Sequence, residues 1–138
     1  MNMAVIESFP RLIRLDGDQP FWDSIRARRM SLQCCNQCSR FRYPVAPVCP
    51  YCFSDSAEWQ PVSGQAELLS WAVFHRRYLP AYPPPHNVIV ARLVEGPSMV
   101  SNLVGAMPEE GCIGRPLMLD YLADAADGVL PVFRYSPA

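Results

Sequence analysis

Four cysteines constrain this chain more than any other feature. Cys35-Asn36-Gln37-Cys38 is followed, after ten intervening residues (Ser39 to Val48), by Cys49-Pro50-Tyr51-Cys52. Two residues between paired cysteines let the backbone curl so that both sulfurs point inward, and two such knuckles face to face close a tetrahedral site for Zn²⁺ or Fe. Pro50 pre-sets the turn of the second knuckle and removes a donor that would lack a partner. Ten residues between the pairs suffice for a tight hairpin.

Two disulfides, or four unrelated buried cysteines, are the competing explanations. Met1 to Pro10 carries Glu7 and no long apolar run, so nothing there reads as a secretory signal. The expectation is a cytoplasmic chain whose thiols stay reduced, where paired CxxC motifs mean metal rather than disulfide. Cys35, Cys38, Cys49 and Cys52 are therefore the expected metal ligands. Cys34 would make the first knuckle CxxxC and is read as a bystander; Cys112 reads as an ordinary loop or core cysteine. Four thiolates leave no open coordination position, so the site is structural.

Composition narrows the function classes. At 138 residues the chain makes one compact domain, or a small domain with a metal-stapled appendage. No apolar run approaches the roughly 18 residues of a membrane span. Formal charge is −1, from twelve basic and thirteen acidic residues. A protein held to nucleic acid by phosphate neutralisation would show a basic excess. All twelve basic residues are arginine, which excludes lysine Schiff-base chemistry. Fifteen prolines against seven glycines favour fixed turns and short strands over long helices.

Along the chain, Met1 to Gly17 is a leader with scattered apolar residues (Val5, Ile6, Phe9, Leu12, Ile13, Leu15), read as an arm packing on the body or on a partner. Asp18 and Pro20 signal a helix start, predicting a short helix over about Pro20–Arg29. Phe21 and Ile25 share a face with Trp22 beside them; core packing is one reading, docking of a partner the other. Met30 to Gln33 leads as a strand into the ribbon, whose Phe41 and Tyr43 are expected to shield the sulfurs. Pro61-Val62-Ser63-Gly64 marks a boundary.

Beyond it the pattern is all-β. A strand over Gln65–Arg76 puts Leu69, Trp71 and Val73 on one face and Ala66, Leu68, Ser70, Ala72 and Phe74 on the other. Further strands are expected over Asn87–Val94, Met99–Val104, Leu117–Tyr121 and Val129–Tyr135. Five short strands with a longer connection between the third and fourth fit a Greek-key barrel of the OB type. The fold class expected is thus mainly β: an N-terminal arm and short helix (1–33), a four-cysteine zinc ribbon (34–60), and a five-stranded OB-fold barrel (61–138). Leu79 to His86, with Pro80, Pro83, Pro84 and Pro85, is a stiff loop expected at a barrel mouth, where ligands bind.

No GxSxG, HExxH, Walker A or GxGxxG motif is present. His75-Arg76-Arg77 is the most chemically loaded patch: its arginines could hold ligand phosphates bidentately, or simply face water at a strand end. A Cys112–His nucleophilic pair rests on residue type alone, because such pairs are recognised by spatial geometry.

The ordered set Phe21-Trp22, Cys35, Cys38, Cys49, Cys52, Ser70, His75-Arg76, Glu95-Gly96-Pro97, Asn102, Gly105, Ile113-Gly114 and Pro116 resembles the acyl-CoA-associated family of rubredoxin-like zinc-ribbon plus OB-fold proteins, long labelled a domain of unknown function. The likeness runs from about Phe21 to Phe133. It implies a non-catalytic companion subunit of thiolase-like enzymes (ketoacyl-CoA thiolases, aldolases, acyltransferases) or of MaoC-like enoyl-CoA hydratases. In such proteins the barrel helps bind the CoA part of a thioester while the ribbon and helix brace the partner. Carried onto this chain, the metal ligands are the four cysteines above. His75, Arg76 and Asn102 become candidates for CoA, and Phe21 and Trp22 for partner contact. Relatives often have a polar residue where this chain has Cys34. Two other classes stay open: a single-stranded nucleic-acid-binding OB module using Trp71, Phe74 and Tyr78 as stacking platforms, and electron transfer at an iron-loaded site.

Overall fold

The computed structural model describes residues 13–123 and 128–137. Most of the expected leader arm, and most of the connection between the last two strands, lie outside the described residues. The elements are α1 (Gln19–Arg26), β1 (Ser31–Cys35), β2 (Phe41–Arg42), β3 (Ala57–Pro61), β4 (Gln65–Phe74), β5 (His86–Leu93), β6 (Ser98–Ser101), β7 (Pro116–Ala123) and β8 (Val129–Tyr135). They form a three-stranded sheet, β2-β1-β3, and a five-stranded sheet, β6-β5-β4-β7-β8. Among the described residues no helix is long and apolar enough to cross a membrane.

Helix α1 starts where Asp18 and Pro20 place it, but ends three residues before Arg29. Arg28 adopts φ +57°. Its N–H bonds Ile25 O at 2.9 Å, and the Arg29 N–H bonds Ser24 O at 2.9 Å. This is a Schellman turn with an arginine at the left-handed position. It turns the chain so that the Met30 N–H donates to the Tyr121 hydroxyl at 2.8 Å, tying the helix exit to β7. Asp18 does not cap the helix with its side chain. Its Oδ2 instead accepts from Leu15 N (2.9 Å) and Trp22 Nε1 (3.1 Å), folding the preceding segment over the helix.

In the five-stranded sheet, β4 is the hub, pairing antiparallel with both β5 and β7. The sheet curls until the segment after β6 meets β8 through a parallel bridge, Leu103–Phe133. Val104 N donates to Phe133 O (2.9 Å) and Phe133 N to Asn102 O (3.0 Å). The third strand consequently stops at Ser101, not Val104, because residues 102–104 leave β5 to close the barrel.

Strict alternation along β4 fails at Leu69. Leu68 pairs with Ala91 and Ser70 with Val90, so Leu69 is an extra, bulged residue. A bulge of one residue reverses which side chains face inward. Ala66 and Leu68 are buried before it; after it Trp71 and Val73 are half-buried while Ser70, Ala72 and Phe74 turn to solvent. The expected grouping of Ala66 and Leu68 with Ser70, Ala72 and Phe74 is therefore corrected.

One hydrophobic cluster unites the parts. Phe133, Leu68, Ile89 and Leu117 fill the barrel, and the cluster continues through Met30 and Leu32 to Ile25 and Phe21. Gly64 sits in the linker at φ +85°, its carbonyl accepting from Leu119 N at 2.8 Å. A Cβ there would lie 3.1 Å from the Leu119 Cβ, so only glycine gives both the backbone angle and this close approach.

Candidate metal centre and barrel groove

The two knuckles are built alike. In the first, the Ser39 N–H bonds Cys35 O at 2.9 Å, and the Gln37 and Cys38 N–H groups point at Cys35 Sγ (3.4 and 3.5 Å). In the second, the Phe53 N–H bonds Cys49 O at 2.9 Å, and Tyr51 N–H points at Cys49 Sγ (3.4 Å). Ser39 and Phe53, each directly after a knuckle, take φ +65° and +64°. The hairpin β1–β2 and the pairing of β1 with β3 hold the knuckles face to face.

The sulfurs of Cys35, Cys38, Cys49 and Cys52 all lie within 4.8 Å of one another. Cys35–Cys52 is 3.5 Å and Cys38–Cys49 is 3.6 Å. A tetrahedron with metal–sulfur bonds near 2.3 Å has edges of about 3.8 Å, so the donor set fits a tetrahedral thiolate metal such as zinc. Electrostatics agree. Burial opposes ionisation of Cys49, yet the Cys52 and Tyr51 N–H groups and neighbouring sulfurs bring its thiol down to about 6. At Cys52 the Ser54 N–H favours the thiolate, but burial and the three other sulfurs push it up to about 12. Four thiolates this close repel unless a cation sits between them; a bound metal would deprotonate all four. Cys34 stays outside the set, its Sγ near Ser39 O at 3.5 Å, with burial and the adjacent thiols raising its pKa. Cys112 is buried in the core.

Tyr43, expected over the sulfurs, packs on Phe21 instead, ring centroids 5.6 Å apart. Phe41, too, packs against the hydrophobic cluster. Phe21 is buried in that same core, edge-on to Trp22 at 5.0 Å, whereas Trp22 remains partly accessible.

At the far end of β4 and the start of β5 lies a second feature, a groove of about 370 Å³ lined by Phe74, Arg76, Tyr78, Leu79, Tyr82 and His86. Tyr82 stacks on His86 at 4.6 Å, and Tyr78 meets Phe74 edge-on at 5.9 Å. Burial holds the His86 imidazole below its ordinary pKa, which favours the neutral ring. The proline loop thus forms a groove wall. Arg76 reaches the groove; His75 is exposed at the end of the strand. Asn102 commits a donor to Asn87 O at 2.6 Å.

The residue that sequence reading missed is Asn87. Buried at the start of β5, it donates to Leu103 O (2.8 Å) and accepts from Leu103 N (2.7 Å), supplying the pairing that β6 lacks there. A polar residue in an otherwise inward-facing apolar run (Ile89, Ala91, Leu93) was the available signal.

Two family models match: the ChsH2 rubredoxin-like zinc ribbon domain over residues 22–58 and the ChsH2 C-terminal OB-fold domain over residues 59–121. The chain is 35% identical over 133 residues to a protein named probable enoyl-CoA hydratase alpha subunit from Thermomonospora curvata, covering 93% of this chain and 42% of the relative. It is 31% identical over 71 residues to a DUF35 domain-containing scaffold protein from Pyrococcus furiosus, covering 49% of this chain and 51% of the relative. The chain therefore spans about half or less of these curated relatives. Among solved structures, a chain of the Ltp2-ChsH2(DUF35) aldolase superposes with TM-score 0.82 at 33% identity, over 91% of this chain and 98% of that one. The four-cysteine ribbon, the curled five-stranded sheet and these matches together make this chain a member of the ChsH2 (DUF35) family of rubredoxin-like zinc-ribbon plus OB-fold proteins.

Proposed function

We propose that this chain is a non-catalytic accessory subunit that forms a complex with a thiolase-like enzyme and helps hold its CoA thioester substrate. The observation that carries this reading is the likeness to nearly the whole of a chain from an aldolase complex, at 33% identity. The metal in this reading is zinc, in keeping with the family model's description, held by Cys35, Cys38, Cys49 and Cys52. Its role is to hold the ribbon in shape, since four thiolates fill the coordination sphere. The groove is the CoA-side candidate: its aromatic walls suit a flat ring or an apolar chain, and Arg76 at its edge suits a phosphate. His75 lies next to Arg76 and Asn102 bonds the β5 backbone, so both act from the border of this region. Trp22 is the partner-contact candidate, with Phe21 behind it as its support.

A hydratase partner is the second reading, favoured by the enoyl-CoA hydratase name of the relative from Thermomonospora curvata. Tagged co-purification from the native host, followed by mass spectrometry of stoichiometric species, separates the two. An aldolase or thiolase-like protein supports the first reading and a hydratase the second. Recovery of the chain alone, or with single-stranded nucleic acid, refutes both.

A further inference from the structure

Closure of the barrel leaves a stretch of β4 uncovered along its outer edge. β7 pairs with that edge at Gln65, Ala66 and Glu67. Leu68 is answered by the chain just before β7, its N–H donating to Arg115 O (3.0 Å) and its C=O accepting from Gly114 N (2.7 Å). From Ser70 to Phe74, β4 pairs with β5 alone. Two hydrogen bonds fix which backbone groups point where. Val94 N donates to Gln65 O, toward β4, and Leu93 N donates to Pro97 O, toward β6. Backbone groups alternate sides along an antiparallel strand, so Val90, Val88 and His86 face β4. Their partners Ser70, Ala72 and Phe74 direct their own N–H and C=O groups to β5. Trp71 and Val73 therefore turn theirs outward, where none of the described residues bonds them.

Edge strands are ordinarily protected from pairing with another chain by charged residues or proline. Leu69-Ser70-Trp71-Ala72-Val73-Phe74 contains neither, and Ser70, Ala72 and Phe74 are exposed. We propose that this edge pairs antiparallel with the same edge of a second copy of this chain, joining the two barrels through one continuous sheet. Directly opposed residues in a sheet share a face, so a twofold axis perpendicular to it must set one residue opposite itself. With Ala72 on the axis, Trp71 lies opposite the second copy's Val73, and Val73 opposite its Trp71. The outward N–H and C=O groups of these residues then bond one another across the axis. On one face the half-buried Trp71 and Val73 make aromatic–β-branched cross-strand pairs, and on the other Ser70 meets Phe74. Ala72 takes the central pair that exchanges no hydrogen bonds, where opposed residues come closest, and its methyl group admits that approach. Arg76 and Arg77, beyond Phe74, leave the paired segment at its two opposite ends, so the charges of the two copies do not meet. This register favours a second copy over an unrelated strand, because each outward group finds its complement with no charge placed against a like charge.

Sedimentation equilibrium of the full metal-loaded chain measures the assembly. The expected result is a mass that rises with concentration from the 15.5 kDa of one chain to twice that value. Ala72→Glu and Ala72→Lys each set like charges opposite one another on the axis, at a position exposed in the single chain, and each should stay monomeric. Mixed in equal amounts, the two variants should restore the dimer, because glutamate then faces lysine; residue 72 opposite itself requires this rescue. Thermal melting checks that both variants fold. Amide hydrogen exchange supplies a second readout in the unaltered chain, with the Trp71 and Val73 amides slow in the dimer and fast on dilution to monomer. The proposal is overturned if the chain is monomeric at every concentration, if the dimer survives both charged variants, or if mixing them gives no dimer. A monomer with slow exchange at Trp71 and Val73 also overturns it, and assigns the edge to another segment of the same chain.

Discussion

Replacing Asn87 by alanine is the sharpest test of how this barrel closes. Asn87 is 7% exposed, and its amide satisfies both backbone groups of Leu103, at 2.7 and 2.8 Å. Leu103 is itself buried and pairs with Phe133 to join the two edges of the sheet. Truncation leaves a buried N–H and a buried C=O without partners, each costing about 1–3 kcal/mol. The expected loss is therefore about 2–6 kcal/mol, the lower end applying if water enters the space vacated by the amide. Against a typical total of about 5–15 kcal/mol, that is a large fraction of the stability. Urea denaturation of the metal-loaded protein, followed by circular dichroism, measures it as a fall in midpoint with the slope retained. Asn87→Asp adds a control. Its ionised carboxylate still accepts from Leu103 N but faces Leu103 O with no donor, so the variant is weak at neutral pH. Its folded-state pKa is raised, so it regains stability as pH falls through that pKa and the protonated oxygen can donate. A loss below about 1 kcal/mol for Asn87→Ala would refute the closure argument, because an exposed or unpaired amide costs no more than that.

Two further outcomes follow from the geometry. Purified protein should carry zinc and be colourless; Cys34→Ser should retain the full metal content while Cys49→Ser loses it and unfolds the ribbon, since structural zinc contributes about 10–16 kcal/mol of apparent binding free energy. Metal analysis decides it, and a visible thiolate-to-iron band would assign iron instead. The Arg134 guanidinium, the Tyr121 N–H and nearby charge hold the Asp120 carboxyl below its ordinary pKa. A depressed acid pKa contributes stability above the unfolded-state value and loses it as pH falls through the folded-state value. Asp120→Asn should thus cost under about 1 kcal/mol at pH 7, this pair being partly exposed, and the difference from wild type should vanish in strong acid.

That Cys35, Cys38, Cys49 and Cys52 would converge was legible because a knuckle is local: Cys-x-x-Cys spacing and the turn after it fix where the sulfurs point, with no knowledge of the rest of the chain. The start of α1 was legible for the same reason, from Asp18 and Pro20. Its end was not, since an arginine in a left-handed turn carries no glycine signature and the turn serves a contact with Tyr121, 91 residues away. The groove was half legible. The proline loop marked its place, but the tyrosines, Phe74 and His86 that line it converge only once β4 and β5 pair.

Spacing and alternation alone determined that this chain would be mainly β, with a four-cysteine ribbon ahead of five short strands, because period-2 burial and knuckle geometry are local properties of the backbone. Only the tertiary structure decided the bulge at Leu69, the closure of β6 onto β8 through Asn87, and the burial of Arg42 with no ion-pair partner among the described residues. Each depends on which distant segment lies opposite, and a bulge or a buried charge is defined by its neighbour in space rather than its neighbour in the chain.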